Sequence, residues 1–440
     1  MNFTLVLGGP GTGKTEAMIA RVSAALKAGV RPDQVAFVAF SKAAAEEAAA
    51  RAGEALSLSR RELPHFRTLH SLCFKELGLR RGDVVEGASA RELEKLTGER
   101  FGRQYDTDAV GPFEVEQLAR ATGRDPAALA RELLVDRHRF QRAIAAYAAF
   151  KEDKGLLDFT DMLEQYQADG KPLPDIRLAI VDEAQDLTPL QWKVVRRAFA
   201  QAQEVVVAGD DDQAIHEWAG ATVAPMIHHR GTVEVLSQSH RLPRAVHALA
   251  QKVVARIKAR QRKDTAPSDR EGAVSWLHEP HDCTFSSGTW LLLARARYQL
   301  DELVSVCRVA GVPYTVRGRS SVNQDLLDKI KTYEGTKQAG APAWHDALTS
   351  IPLEEREYLL ACRRRGERLN GPPRIAIETV HGSKGRQADH VLLCTDLTAR
   401  VSRAAEAQPD PELRVCYVGV TRARETLSLV EARGIHRWQL

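Results

Sequence analysis

The sequence predicts an α/β fold, with parallel sheets flanked by helices, built twice along the chain and interrupted by helical insertions. Three observations lead there. The chain has 440 residues, too many for one ordinary domain and suited to two or three of common size. Its first half alternates short apolar runs with amphipathic stretches, the pattern of a parallel sheet covered on both faces. Those apolar runs end at glycine or acidic residues, where ligands bind in such sheets.

Taken in order, Leu5-Val6-Leu7 leads to Gly8 and then to a helix from about Lys14 to Ala28. Val35 to Phe40 reads as the next strand, and an alanine-rich helix follows from about Lys42 to Ala52. Leu178 to Val181 and Glu204 to Ala208 read as later strands. Between about Leu77 and Leu156 the period is helical throughout, broken at Gly87, Gly111-Pro112 and Gly123 to Pro126, which marks an all-helical insertion. A second α/β series begins near Val233. It includes Val274-Ser275-Trp276, Trp290 to Ala294, Pro313 to Val316, Ile375-Ala376-Ile377 and Val391 to Cys394. The stretch between Gly318 and Pro373 reads as a smaller helical insertion. The expected domains are residues 1–236, with an insertion at about 77–156, and residues 237–440, with one at about 318–373. No repeat is visible.

Hydrophobic residues make up 44% and charged residues 27%, so a packed core and a wetted surface are both available and whole-chain disorder is excluded. The longest apolar run, Ala143 to Phe150, is eight residues, against roughly 20 needed to span a bilayer. Met1-Asn2-Phe3 carries no basic leader. The expectation is a chain with no membrane contact and a cytoplasmic location. Six scattered cysteines without a C-x-x-C pair argue against structural zinc and a disulfide framework. A formal net charge of +4 permits a nucleic-acid partner without demonstrating one.

Gly8-Gly9-Pro10-Gly11-Thr12-Gly13-Lys14-Thr15 fits the phosphate-loop pattern G-x-x-x-x-G-K-[ST], between a strand and a helix as that pattern requires. Glycines let backbone N–H groups wrap phosphates at a helix N-terminus. Lys14 would reach the β- and γ-phosphates, and Thr15 would offer its hydroxyl to Mg²⁺. The bland alternative is a glycine-rich turn that happens to precede a lysine. Ile180-Val181-Asp182-Glu183 delivers two carboxylates at a strand end, Asp182 for the metal shell and Glu183 as the base that polarises the attacking water. Taken alone, that pair could equally be an acidic N-cap before the helix at Pro189.

Together with further blocks in order, these residues resemble a superfamily 1 helicase of the UvrD/Rep type. Phe40-Ser41-Lys42-Ala43-Ala44-Ala45-Glu46 is similar to its second motif, and Thr68-Leu69-His70-Ser71-Leu72 to its T-x-H-S segment. Leu157-Asp158-Phe159-Thr160-Asp161 resembles L-D-F-x-D/E, and Val181 to Asp186 matches V-D-E-x-Q-D. Gly209-Asp210-Asp211-Asp212-Gln213-Ala214-Ile215, followed by Trp218, is close to G-D-D-D-Q-S-I…W. Ser237 to Arg241 resembles Q-N-Y-R, Thr379 to Gly385 matches T-V-H-x-x-K-G, and Tyr417 to Ala423 reproduces Y-V-G-V-T-R-A. The blocks run from Gly8 to Ala423, nearly the whole chain.

The resemblance implies two RecA-like motor domains with ATP and Mg²⁺ in the cleft between them. It assigns catalysis to Lys14, Asp182, Glu183, Gln213, Arg241 and Arg422, with Gln213 sensing the γ-phosphate and the two arginines stabilising transition-state charge. Arg241 and Arg422 could otherwise be surface ion pairs. Gly8, Gly9, Pro10, Gly11, Thr12, Gly13, Lys14, Thr15, His240, Gly385 and Gln387 would line the nucleotide, with Thr15 and Asp182 on the metal. Phe40, Ser41, Lys42, Thr68, His70, His216, Trp218, Thr379 and His381 would meet single-stranded DNA. Trp218 and Phe40 would stack on bases, although Phe40 could instead end the core of its strand.

The chain also departs from the family. His240 stands where a tyrosine commonly stacks on the base, and Gln387 replaces an acidic residue near the ribose. With seven residues before Gly8, the upstream adenine-reading helix is expected to be absent, as are a C-terminal tail and a fused nuclease beyond Leu440. Loosened nucleotide selectivity is the expectation. The second motif is one residue short, which puts the role of Ser41 in doubt. His216 replaces an aromatic and Ala219 an arginine, so one DNA contact is expected to be weaker. The short second insertion implies a motor lacking most of the family's mobile regulatory domain. The basic run Lys252, Arg256, Lys258, Arg260, Arg262 and Lys263 reads either as a phosphate contact or as the solvated face and end of one helix, and Arg363-Arg364-Arg365 likewise. The implied activity is ATP-dependent 3′-to-5′ translocation on single-stranded DNA and unwinding of tailed duplexes. Alternatives are a translocase that displaces proteins with little unwinding and an ATP-gated DNA-binding module. Replication or repair partners are not readable.

Overall fold

A computed structural model describes residues 3–101, 110–285 and 287–440. Met1-Asn2 and the part of the first insertion at 102–109 lie outside the described residues. The chain divides into two compact units, one of Met1–Ser237 with Arg260–Asp264, the other of Gln238–Ala259 with Thr265–Leu440.

In the first unit six strands form one sheet: β1 (Thr4–Gly8), β2 (Val35–Ala39), β3 (Phe66–Thr68), β4 (Leu178–Val181), β5 (Glu204–Gly209) and β6 (Val233–Leu236). The order is β3-β2-β4-β5-β1-β6 and every pairing is parallel. Successive residues of one strand feed opposite cores, because side chains alternate across a sheet. Leu5, Leu7, Val38, Val181 and Val207 pack under helices Leu69–Glu76, Phe159–Asp169 and Pro189–Ala198. Val6, Phe37, Ile180 and Val206 pack on the other face against helices Lys14–Lys27 and Lys42–Leu56. Burial on both faces explains why these strands read as nearly unbroken apolar runs.

β6 corrects one expectation. Residues near Val233 do not open a second series; they pair with β1 and form an edge of the first sheet. Val233 and Val235 stay exposed there.

The first insertion holds helices Gly87–Thr97, Pro112–Thr122, Pro126–Glu132 and Arg137–Lys154. Asp125 and Asp136 cap the last two, accepting from Ala128 N at 2.6 Å and Arg139 N at 2.7 Å. The Ala143–Phe150 run buries Ala143, Tyr147 and Phe150, at helical spacing, against Phe113 and Leu93, with Ile144 partly buried beside them. Asp158 joins this insertion to the unit. Its Oδ2 accepts from Tyr147 Oη at 2.7 Å, Lys151 Nζ at 2.8 Å and Arg120 Nη1 at 3.1 Å. Its Oδ1 accepts from Asp161 N at 2.6 Å and so caps helix Phe159–Asp169.

The second unit contains β7 (Ala273–Leu277), β8 (Trp290–Ala294), β9 (Tyr314–Val316), β10 (Arg319–Ser320), β11 (Ile375–Thr379), β12 (Ala388–Cys394) and β13 (Ala423–Val430). The order is β10-β9-β11-β8-β12-β13-β7, parallel except for β10 on β9. Its insertion has helices Gln324–Thr336, Trp344–Ala347 and Leu353–Arg364 around a core of Leu327, Ile330, Trp344, Ile351 and Leu359. Two of the three consecutive arginines are bonded to protein, so that run is not simply solvated. Arg363 pairs with Glu334 at 3.0 Å, and Arg365 donates to the carbonyls of Thr284 and Phe285 at 2.8 Å each. Among the described residues no helix is long and apolar enough to cross a membrane.

Candidate functional site

The glycine loop follows β1 and opens helix Lys14–Lys27. Gly11 and Gly13 hold φ of 73° and 74°, a left-handed conformation that side-chain-bearing residues resist. A Cβ on Gly8 would come within 2.3 Å of Thr12 Oγ1 and 2.8 Å of Lys14 Cγ, so the loop closes only around glycine. Thr12 Oγ1 donates to Gly9 O at 2.9 Å, and Lys14 Nζ donates to Gly8 O at 2.9 Å. The ammonium thus lies over the cradle.

Asp182 and Glu183 follow β4, next to that loop. Thr15 Oγ1 donates to Asp182 Oδ2 at 3.1 Å. Glu183 adopts φ 53°, rare for a glutamate, and its N–H donates to Asp182 Oδ1 at 2.9 Å. Helix Pro189–Ala198 is capped by Thr188, which rules out the alternative of an acidic N-cap for that helix. Burial, and then the adjacent Glu183 carboxylate, push Asp182 up to about 6. Hard oxygen donors in a buried, anion-crowded corner suit Mg²⁺, which Thr15 and Asp182 would hold.

Gln185 continues the chain of bonds. Its Nε2 donates to Glu183 Oε2, and its Oε1 accepts from Asp210 N at 3.0 Å. Asp210 Oδ2 in turn accepts from Gln213 Nε2 at 2.6 Å. Lys14, Thr15, Asp182, Glu183 and Gln213 therefore gather in the first unit around one hydrogen-bonded line. Gln185 and Asp210 were quoted only as parts of motifs, and nothing in the sequence distinguished them from their neighbours.

Aromatic groups form a second cluster at the strand ends of this unit. Phe40 is 45% exposed and Trp218 52%, so Phe40 is not a core residue. The His216 ring stacks on Phe40 at 6.1 Å and 11°, and meets Trp218 edge-on at 6.3 Å. Ser41 and Thr68 are helix N-caps, accepting from Ala44 N at 3.1 Å and Ser71 N at 3.2 Å. Lys42 is exposed beside Glu46 at 3.6 Å. His70 packs edge-on against Phe159 at 5.6 Å, and burial pushes it down to about 4, leaving it neutral at physiological pH. Phe159 is itself largely exposed, a ring that motif reading had not placed on this face.

The remaining predicted residues belong to the second unit. Thr379 ends β11 and accepts from Gly382 N at 3.1 Å through Oγ1, closing the turn that carries the half-buried His381. Ser383 Oγ donates to Val380 O at 2.7 Å, and Gly385 takes φ 80°. His240 and Gln387 are exposed. Arg241 follows the buried Ser239, whose Oγ accepts from Arg241 N at 3.3 Å. Arg422 is 1% exposed, which removes the surface-pair alternative. Its guanidinium donates to Val418 O at 2.9 Å and Arg386 O at 3.2 Å.

The basic run reads differently in three dimensions. Lys252, Arg256, Lys258 and Arg262 are exposed, but Lys263 is buried and Arg260 mostly so. These two belong to the first unit, where they pair with Asp210, Asp211 and Asp212. Neither a phosphate contact nor a solvated helix face describes them.

A glycine cradle after the first strand, joined to a carboxylate pair at the end of another parallel strand, defines a P-loop nucleotide hydrolase. Residues 1–219 match the AAA domain family. The chain is 26% identical over 536 aligned residues to the ATP-dependent DNA helicase UvrD2 of Mycobacterium bovis, covering 96% of this chain and 76% of the relative. It is 28% identical to the ATP-dependent DNA helicase Rep of Salmonella typhimurium over 49% of this chain and 35% of Rep. Among solved structures, the arterivirus nonstructural protein 10 helicase with DNA aligns at 12% identity and a TM-score of 0.39, over 98% of this chain and 62% of the viral one. The chain thus spans less than two thirds of Rep and of the viral protein. Together these likenesses, which run over most of the chain, support a UvrD/Rep-type superfamily 1 helicase.

Proposed function

We propose that this UvrD/Rep-type chain is an ATP-dependent motor that moves 3′ to 5′ along single-stranded DNA and unwinds tailed duplexes. The observation that carries the reading is the bonded line from Thr15 through Asp182, Glu183, Gln185 and Asp210 to Gln213. A switch that only binds nucleotide has no need of a base and a sensor coupled in this way.

In this reading the glycine loop and Lys14 bind the phosphates, and Thr15 with Asp182 holds Mg²⁺. When bound, that ion neutralises charge on the β- and γ-oxygens. Glu183 accepts the proton of the attacking water. Gln213 senses the terminal phosphate, while Arg241 and Arg422 stabilise charge on it. Phe40, His216 and Trp218 offer stacking faces, which tolerate any base sequence. Ser41 and Thr68 present their backbone-capping hydroxyls beside the strand, and Thr379 and His381 contact it from the second unit. The exposed His240 and Gln387 make weak base and ribose readers, and loosened nucleotide selectivity follows.

Duplexes with a 3′ or a 5′ tail, incubated with ATP and the full chain, test the reading. Unwinding of the 3′-tailed substrate alone is expected. Lys14→Ala that kept DNA-stimulated hydrolysis would refute the phosphate assignment, and strict ATP preference over GTP and CTP would refute loosened selectivity.

A further inference from the structure

Lys263 is 6% exposed and sits among three aspartates that are wholly buried. Its Nζ lies 3.0 Å from Asp210 Oδ1 and 2.8 Å from Asp212 Oδ2, and also donates to Asp211 Oδ1. Arg260 grips Asp212 with two bonds, at 2.8 and 2.6 Å. Lysine and aspartate are almost never fully buried unless paired, so each side of this cluster depends on the other. Three carboxylates this close could have framed a cation site. The lysine ammonium occupies that centre instead.

Both oxygens of Asp210 are committed. Oδ1 accepts from Asp212 N at 3.2 Å and faces Lys263, which leaves Oδ2 for Gln213 Nε2 at 2.6 Å. The carboxylate accepts only, so it requires the NH2 end of the Gln213 amide to face it. Burial alone would raise Asp210, but Lys263 and Lys14 hold it below the usual carboxylate range, while burial lifts Asp211.

The lysine arrives on a separate piece of chain. Arg260–Asp264 is the short stretch of the first unit that lies between two segments of the second. Gln261 fastens it, donating through N to Asp211 Oδ2 at 2.7 Å and through Nε2 to Met226 O at 3.0 Å and Ile227 O at 2.9 Å.

We infer that Lys263, supported by Arg260, is a positioning residue for terminal-phosphate sensing: it neutralises the aspartate cluster so that Asp210 holds the Gln213 amide in its working orientation. The inference rests on the reading of Gln213 as the sensor of that phosphate. Removing the lysine leaves buried carboxylates uncompensated, and the loop must rearrange to solvate them.

The test compares the affinities of the full chain for ATPγS and ADP in Mg²⁺, because the two ligands differ in the terminal phosphate. The ratio of the affinities falls about tenfold in Lys263→Met and in Gln213→Ala, and no further in the double variant, because both act through one contact. Should Lys263→Met fail to fold, Arg260→Gln replaces it, with an expected fall of about threefold. A wild-type ratio in the lysine or arginine variant, beside a lowered ratio in Gln213→Ala, overturns the inference and leaves the sensor reading intact. Losses that multiply in the double variant overturn it as well. An unchanged ratio in Gln213→Ala removes the sensor reading, and the inference with it.

Discussion

The hydroxyl of Thr15 donates to Asp182 Oδ2 at 3.1 Å, linking the first turn of the helix after β1 to the end of β4 across 167 positions of sequence. The bond places one neutral and one anionic oxygen side by side, and these two hard donors would hold a Mg²⁺ ion. Thr15→Ala and Asp182→Asn should each raise the Mg²⁺ concentration for half-maximal hydrolysis by about tenfold. The double variant should be little worse than Asp182→Asn alone, since partners in one shell are not additive. Magnesium titrations of DNA-stimulated turnover decide this, and independent effects would separate the two residues.

Gly209 lets Gln185 reach the Asp210 loop. A Cβ there would lie 2.5 Å from Gln185 Oε1 and 2.9 Å from Met226 Cε. Gly209→Ala should cost about 1–3 kcal/mol of stability by overpacking, and lower kcat about tenfold by displacing the Gln185 link. Gly335 is the contrast: it lies in the last turn of helix Gln324–Thr336, and a Cβ there would meet nothing within 4 Å. Gly335→Ala should stabilise by about 0.5–1 kcal/mol. Thermal melts of both variants, with ATPase rates for the first, check the pair.

Trp218, 52% exposed beside His216 and Phe40, is the ring most open to a base. Trp218→Ala should raise the oligonucleotide concentration for half-maximal ATPase stimulation by about tenfold or more, the effect of losing one stacking face. The shift should be similar for different homopolymers, because every base offers a π-face. A shift confined to one base would point to edge recognition instead.

The phosphate loop and the β4 carboxylates were legible because their chemistry is packed into consecutive residues. Most strands were too, since Leu178–Val181 and Trp290–Ala294 are buried on both faces and read as apolar runs. β13 was harder, because Arg424 and Glu425 interrupt its start and Ala423 belongs to a functional motif. The Lys263 cluster was not legible. Its members are about 50 positions apart, and a lysine that neutralises buried aspartates looks, in sequence, like any lysine on a basic helix end. Ser41 and Thr68 show the reverse: motif likeness marked them for DNA, while Ser-x-x and Thr-x-x before a helix also fit the N-caps they form.

Asp158 gives an acid-stability prediction with a definite sign. Burial alone would raise its carboxyl, but Arg120 and Lys151 overcome this and hold it at about 2, below the value near 3.8 expected in the unfolded chain. A depressed carboxylate contributes stability above its unfolded value and loses it as pH falls through the folded one. The contribution is thus complete above about pH 4 and is lost toward about pH 2, with a size of roughly 2 kcal/mol. Asp158→Asn keeps the shape but removes the charge facing Arg120 and Lys151, so it should destabilise the chain at neutral pH by at least about that amount. Urea unfolding of both proteins near neutrality and at about pH 3 measures the gap, which should narrow in acid. A gap that stayed constant across that range would mean that the Asp158 pairs add nothing through their charge.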